Sequence, residues 1–130
     1  MITLATLTGA ARVALGPELP PFYCDDDAFA ARVLGAADAV DDPVWRMPLW
    51  KPYAASLSSS VADLNNAPGG GFAGSIIAAL FLKRFASESA VWAHLDIYAW
   101  RAKAAPGRPV GGEAQSIRAL LSALRDWRPG

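Results

Sequence analysis

Segments with strand character and segments with helix character alternate along the whole chain, and few fold classes produce that order. The predicted strands are residues 2–8, 22–24, 61–64 and 91–100, and an extended, proline-interrupted stretch covers 44–53. The predicted helices are 28–40, 72–86 and 113–127, with a short helix-permissive segment at 9–15. This alternation predicts an α/β fold, with a partly parallel mixed sheet flanked by helices.

The size and charge of the chain exclude several classes of protein. Its 130 residues allow one domain, residues 1–130. Because 12 basic residues balance 12 acidic ones, nucleic acid is not expected as a partner. The longest apolar run, residues 76–82, is too short to span a bilayer, for which about 20 residues are needed. Since the N-terminus also lacks the positive charge of a signal peptide, we expect a cytoplasmic protein without membrane contact.

The chain is also more apolar than an average soluble domain. Hydrophobic residues make up 53% of it and charged residues 18%, where about 25% charged is usual. We therefore expect other protein to cover part of its surface. With a single cysteine and a single histidine, a cysteine-rich or multi-histidine metal site is excluded.

Three glycines match, by spacing, the fingerprint of a dinucleotide-binding loop. They are Gly69, Gly71 and Gly74, and Asp96 lies where the fingerprint expects an acid, about 20 residues further on. However, residues 65–68 separate the predicted strand from the first glycine, whereas the fingerprint turn follows its strand directly. We interpret the run as a tight turn with positive φ, in which one glycine lets the next helix approach a neighbour closely.

Other polar groups have structural interpretations. His94 and Asp96 share a face of the predicted strand, but no nucleophile elbow accompanies them, so a hydrogen-bonded pair at the sheet surface is expected. Residues 25–27 are expected to cap a helix, residues 41–42 to form a solvated turn, and Cys24 to be an inert buried thiol. Residue by residue, the chain contains no convincing catalytic or metal-binding cluster.

Four segments carry a resemblance to a known family. They are Leu-Ala-Thr-Leu-Thr-Gly-Ala at 4–10, Val-Trp-Arg-Met-Pro-Leu at 44–49, Val-Ala-Asp-Leu-Asn-Asn at 61–66 with Phe-Ala-Gly at 72–74, and Trp-Ala-His-Leu-Asp-Ile at 92–97. In order and spacing they resemble the C-terminal part of the catalytic domain of the M17 leucyl aminopeptidases, the cytosol aminopeptidases. With Gly-Arg-Pro at 107–109, the resemblance runs from about residue 2 to the end.

The resemblance implies a metallo-exopeptidase that removes N-terminal residues from peptides. In the family, two divalent metals, Zn or Mn, polarise the scissile carbonyl and generate the hydroxide nucleophile. The metal ligands and the catalytic lysine and arginine of the family precede the position of Leu4. We therefore expect a truncated catalytic domain without its metal-binding half, with no catalytic residue, no bound metal and no activity by itself. Assembly as homohexamers is also implied.

The resemblance assigns contact with the peptide substrate to this chain. Leu7 and Gly9 match positions whose backbone holds the peptide main chain. Thr6 matches a residue in the wall of the pocket for the first side chain of the substrate. Ala67 matches a residue of the pocket for the second side chain.

Two aromatic residues distinguish this chain from much of the family. Tyr98 and Trp100 fall where the family lines the first pocket with small or flexible residues, so they bear on substrate preference. A second function stays open beside the aminopeptidase fragment, namely a non-catalytic oligomerisation or interaction module that reuses the fold. Nucleotide binding through the glycine run is a third, for which no thermal stabilisation by NAD or ATP is expected.

Overall fold

A four-stranded sheet lies at the centre of the computed structural model, which describes residues 1–86 and 88–128. Its strands are β1 (Ile2–Ala5), β2 (Pro21–Cys24), β3 (Trp45–Arg46) and β4 (Ala93–Asp96), in the order β1-β4-β2-β3. β1 is parallel to β4 and β3 is parallel to β2, whereas β2 and β4 are antiparallel. The predicted mixed and partly parallel sheet is confirmed.

Helices connect and cover the strands. They are α1 (Gly9–Leu15), α2 (Asp27–Ala39), α3 (Gly74–Lys83) and α4 (Ile117–Leu124), with a 3₁₀ helix at Lys51–Leu57. A separate hairpin pairs β5 (Trp100–Arg101) with β6 (Gly111–Gly112). Among the described residues, no helix combines the length and the apolarity needed to cross a membrane.

The two faces of the sheet carry different cores, because successive residues of a strand point to opposite sides. On one face, Phe22 and Leu95 are fully buried against the apolar sides of α2 and α4, and Cys24 is buried beside them. On the other face, Tyr23 and Trp92 pack with Ala79 of α3. The sheet is therefore covered by helices on both sides.

Several predicted boundaries are wrong, two of them at residues where the backbone takes a left-handed φ. Residues 61–63 form bends, no strand includes residues 61–64, and Val61 is 94% exposed. The strand predicted at 91–100 stops at Asp96, because Ala99 has a left-handed φ of 55° and redirects the chain into β5. The helix predicted at 113–127 begins only at Ile117, since Ser116 also has a left-handed φ, of 67°.

The apolar positions of α4 are only partly buried. The spacing predicts a core role for Ile117, Leu120, Leu121 and Leu124. Leu120 is 8% exposed, as predicted, but Ile117 and Leu121 are 55% and 63% exposed. These two side chains form an apolar strip on the outer side of the helix.

Two of the acidic turns hold helix ends. Asp26 caps α2 by accepting a hydrogen bond of 2.7 Å from the Phe29 N–H, as predicted. Asp42 is 6% exposed, so the prediction of a solvated turn is wrong at this residue. Its carboxylate accepts hydrogen bonds of 2.9–3.1 Å from three backbone N–H groups at the start of α4: Ser116, Arg118 and Ala119.

Candidate substrate-binding site

The loop between β1 and α1 is held by one buried carboxylate, that of Asp96. Parallel pairing of β1 with β4 places Ala5 beside Asp96 at the ends of both strands. One carboxylate oxygen accepts hydrogen bonds from the N–H groups of Leu7 at 2.9 Å and Thr8 at 3.3 Å. The other accepts a hydrogen bond of 2.6 Å from the Thr8 hydroxyl. The backbone at Leu7 and Thr8 is thereby fixed by a residue 88–89 positions away in the sequence.

The Asp96 carboxylate belongs to a longer buried chain of hydrogen bonds. The Tyr23 hydroxyl donates to Ser75 Oγ at 2.7 Å, and Ser75 Oγ lies 3.5 Å from Asp96. Thr8 in turn caps α1 by accepting a hydrogen bond from the Ala11 N–H at 3.1 Å. Burial, opposed by the Ser75 hydrogen bond and aided by the Asp96 charge, raises the pKa of Tyr23 to about 12. Tyr23 therefore remains a hydroxyl donor at neutral pH.

His94 does not form the surface pair with Asp96 that its spacing predicts. Both residues are buried, at 1% and 4% exposure, and no hydrogen bond within the described residues joins them. His94 Nδ1 lies 3.0 Å from the Thr3 hydroxyl, and the imidazole ring is nearly parallel to the rings of Tyr23 and Trp92, whose centroids lie 6.1 and 6.2 Å from its own. Burial lowers the pKa of His94, with the Asp96 charge opposing the shift. The imidazole is thus a neutral core group.

We expect the stability of the chain to fall on mild acidification because of His94. Its folded pKa lies below the ordinary value of 6.5, so the unfolded chain binds the proton first. The free energy of unfolding should be level above that value and should decrease as the pH drops below it. Urea denaturation between about pH 7.5 and 5.5 measures this slope. His94→Gln should flatten the slope, and an unchanged slope in that variant would assign it to other groups.

A cavity of about 430 Å³ opens beside Leu7. Its opposite wall is the glycine-rich turn, where Asn66 and Pro68 line it on either side of Ala67 in the sequence. Its floor comes from apolar side chains of α3 that include Ile77 and Phe81. The structure thus brings the Leu7 loop and the turn around Ala67 to one cavity.

The remaining candidate residues gather on another side of the same loop. Thr6 and Tyr98 line a small space of about 10 Å³, and Tyr98 and Trp100 line a groove of about 210 Å³. Arg12 joins them, because its guanidinium carbon lies 4.7 Å from the centre of the Tyr98 ring. Gly9 begins α1 beside this group, where an added Cβ would lie 3.8 Å from Arg12 Nη2.

Sequence reasoning did not single out Arg12, Ser75 or Tyr23. For Arg12 a local signal existed, because Thr8 caps α1 and Arg12 stands four residues later, on the same side of the helix. Ser75 and Tyr23 join the site only through the fold, since their contacts connect residues far apart in sequence.

The glycine run has the structural role that its context indicates. Gly70 has a φ of 110° and Ala73 a φ of 56°, so the chain turns sharply before α3. A Cβ at Gly74 would lie 3.2 Å from the Cβ of Ala10, which confirms that this glycine allows α1 and α3 to approach closely. Bends rather than a strand precede the run, so the strand–turn–helix context of a dinucleotide loop is missing in residues 61–74.

Comparison with known proteins assigns the family. The sequence model described as "Cytosol aminopeptidase family, catalytic domain" matches residues 1–121. The chain belongs to the cytosol aminopeptidase family. Probable cytosol aminopeptidases from Roseiflexus castenholzii and Nitratidesulfovibrio vulgaris are 45% and 43% identical to it over 98% and 99% of its length. The chain spans 26% of the length of each of these relatives.

Solved structures of similar proteins have the same fold as this cytosol aminopeptidase chain. The crystal structure of a cytosol aminopeptidase from Coxiella burnetii matches 98% of the chain with a TM-score of 0.86 and 46% identity. A bottromycin maturation enzyme in complex with Mn matches 95% of it with a TM-score of 0.88 and 35% identity. The chain covers 28% of each of those proteins. The resemblance inferred from the four sequence segments is confirmed.

The described residues do not fit the binuclear metal centre that the cytosol aminopeptidase family implies. Within 1–86 and 88–128, no group of three or more His, Cys, Asp or Glu side chains is arranged to hold a metal ion. The densest acidic run is already engaged, because Asp25 pairs with Lys83, Asp27 pairs with Arg46 at 2.6 Å, and Asp26 caps α2.

Proposed function

We propose that this chain forms the substrate-contacting walls of a leucyl-type metallo-aminopeptidase, which removes N-terminal residues from peptides. The match of residues 1–121 to the catalytic domain of the family carries the proposal. In this proposal residues 1–130 supply one part of a catalytic domain, and the metal-binding groups lie outside these residues. The chain by itself is inactive and holds no metal.

The proposed contacts divide between the two sides of the loop after β1. Leu7 and Gly9 hold the peptide main chain through their backbone groups. Thr6, Tyr98 and Trp100 form the pocket for the first side chain, and Ala67 belongs to the pocket for the second. Support comes from the hydrogen bonds of Asp96 to Leu7 and Thr8, since a loop fixed before binding loses little conformational freedom when substrate arrives.

The proposal also covers metals, location and assembly. The complex of the bottromycin maturation enzyme with Mn supports divalent metals, Zn or Mn, in a whole enzyme of this kind. The relatives are named cytosol aminopeptidases, which supports a cytoplasmic location. The exposed apolar strip of Ile117 and Leu121 supports association with further copies of the chain, as homohexamers in the complete enzyme.

The activity test uses the pure chain with an aminoacyl anilide and added Mn or Zn. We expect no turnover above the metal-only blank and less than stoichiometric metal by mass spectrometry. Robust turnover with stoichiometric metal would contradict the proposed inactivity. Two measurements distinguish this proposal from the alternative, a non-catalytic module. Light scattering gives the oligomeric state, and an assay after addition of the metal-binding half shows whether activity is gained. A defined oligomer that gains no activity from that addition would favour the module.

A further inference from the structure

Ser75 lies at the junction between the central sheet, α3 and the buried carboxylate of Asp96. It is the second residue of α3 and is 5% exposed. Its Oγ accepts a hydrogen bond of 2.7 Å from the Tyr23 hydroxyl, so the proton of the Ser75 hydroxyl is left for another acceptor. Asp96 Oδ2, at 3.5 Å, is that acceptor. The three groups thus form a directed chain, in which Tyr23 donates to Ser75 and Ser75 donates to Asp96.

This chain of hydrogen bonds joins the two walls of the cavity of about 430 Å³ beside Leu7. The first wall is the loop after β1, where Asp96 holds the Leu7 N–H. The second wall is the turn at residues 66–72, which leads directly into the start of α3 and Ser75. Within residues 1–86 and 88–128, no other side-chain hydrogen bond connects α3 with Asp96 or with the loop. The orientation of one wall relative to the other therefore depends on the Ser75 hydroxyl.

We propose that Ser75 is a positioning residue for peptide binding, which holds the loop after β1 and the turn around Ala67 in register through Asp96. The inference rests on the proposed function, in which Leu7 holds the peptide main chain and Ala67 belongs to the pocket for the second side chain. A peptide that spans both walls then enters a cleft whose two sides are already fixed, so less conformational freedom is lost on binding. A ligand that reaches only the first wall gains little from the connection.

The test compares a ligand confined to the first wall with one that spans both. Leucine amide and Leu-Leu-amide are each titrated into the ¹⁵N-labelled full chain, and binding is followed at the backbone signals of Leu7, Gly9 and Ala67. In Ser75→Ala, we expect the dissociation constant of Leu-Leu-amide to rise about fivefold and that of leucine amide to rise less than about twofold. The reason is that Asp96 loses its connection to α3, which matters only to the ligand that needs both walls.

Tyr23→Phe is the matched control, because both variants lose the hydrogen bond between Tyr23 and Ser75 but only Ser75→Ala loses the one to Asp96. Tyr23→Phe should lower the urea midpoint and leave the affinity for each ligand within about twofold of the native value. Ser75→Cys has nearly the shape of serine and a weaker donor, so it should weaken Leu-Leu-amide binding by a smaller factor. The cysteine variant also supplies the comparison if Ser75→Ala does not fold.

The possible outcomes separate this inference from the proposed function. An equal loss of affinity for both ligands in Ser75→Ala, or an equally large loss in Tyr23→Phe, overturns the inference and leaves the proposed function intact. Unchanged binding of Leu-Leu-amide in both Ser75 variants does the same. If Leu-Leu-amide changes no signal at Leu7, Gly9 or Ala67 in the unmodified chain, the proposed function is contradicted, and the inference with it.

Discussion

Replacing Asp96 with alanine is expected to lower the free energy of unfolding by about 3–5 kcal/mol. The carboxylate is 4% exposed and accepts hydrogen bonds from Leu7, Thr8 and the Thr8 hydroxyl. Its removal leaves these three part-buried donors without their protein partner, and an unsatisfied buried donor costs about 1–3 kcal/mol. Urea denaturation followed by tryptophan fluorescence measures the loss.

Two variants of Thr8 separate the hydrogen bonds of Asp96 from its packing. Thr8→Ser keeps the hydroxyl that donates to Asp96 and caps α1, so stability should remain within about 1 kcal/mol of the native value. Thr8→Val keeps the shape but loses the hydroxyl, and should cost about 1–2 kcal/mol. If the urea midpoint of Asp96→Ala equals that of the unmodified chain, the carboxylate does not hold the loop as described.

Replacing Asp42 with alanine should lower the free energy of unfolding by about 2–4 kcal/mol. The buried Asp42 carboxylate is the partner of three backbone N–H groups at the start of α4, on residues 116, 118 and 119. Without it, the first turn of a helix that packs against α2 has unsatisfied donors. Thermal unfolding followed by circular dichroism at 222 nm, about the wavelength of the helix signal, measures the expected loss of stability.

The neighbouring aspartate provides the control for Asp42. Asp41 has a side chain that is 96% exposed and a left-handed φ of 51°, which asparagine also tolerates. Asp41→Asn should therefore change stability by less than about 0.5 kcal/mol. Equal effects of Asp41→Asn and Asp42→Ala would show that the cap of α4 contributes little.

The elements with local signals were predictable from the sequence. Asp26 followed by apolar residues at helical spacing marks α2, which begins at Asp27 and ends at Ala39. β2 and β4 are short runs with buried side chains, and the sequence places both correctly apart from their ends. In these segments, local propensity and burial favour the same structure.

Other failures concern contacts between residues far apart in sequence. Residues 61–64 have strand-like composition, yet they pair with no strand in the described structure. Asp42 resembles a turn residue until the start of α4, some 74 residues later, is placed against it. At the candidate site, the sequence indicated Thr6 and Tyr98 only through a family resemblance. The contact between Arg12 and Tyr98 could be seen only in the structure, because the two residues are far apart in sequence.

The pairing of β1 with β4 has a consequence for how the chain is made. Thr3 contacts the backbone of Ala93, at a separation of 90 residues, so β1 has no β4 partner until the residues between them have been translated. Closing so long a loop is slow, and unpaired strand edges are prone to misassociation in the meantime. Until the segment after Trp92 has been made and β1 can pair with β4, the edge of β1 is therefore open to pairing with other chains.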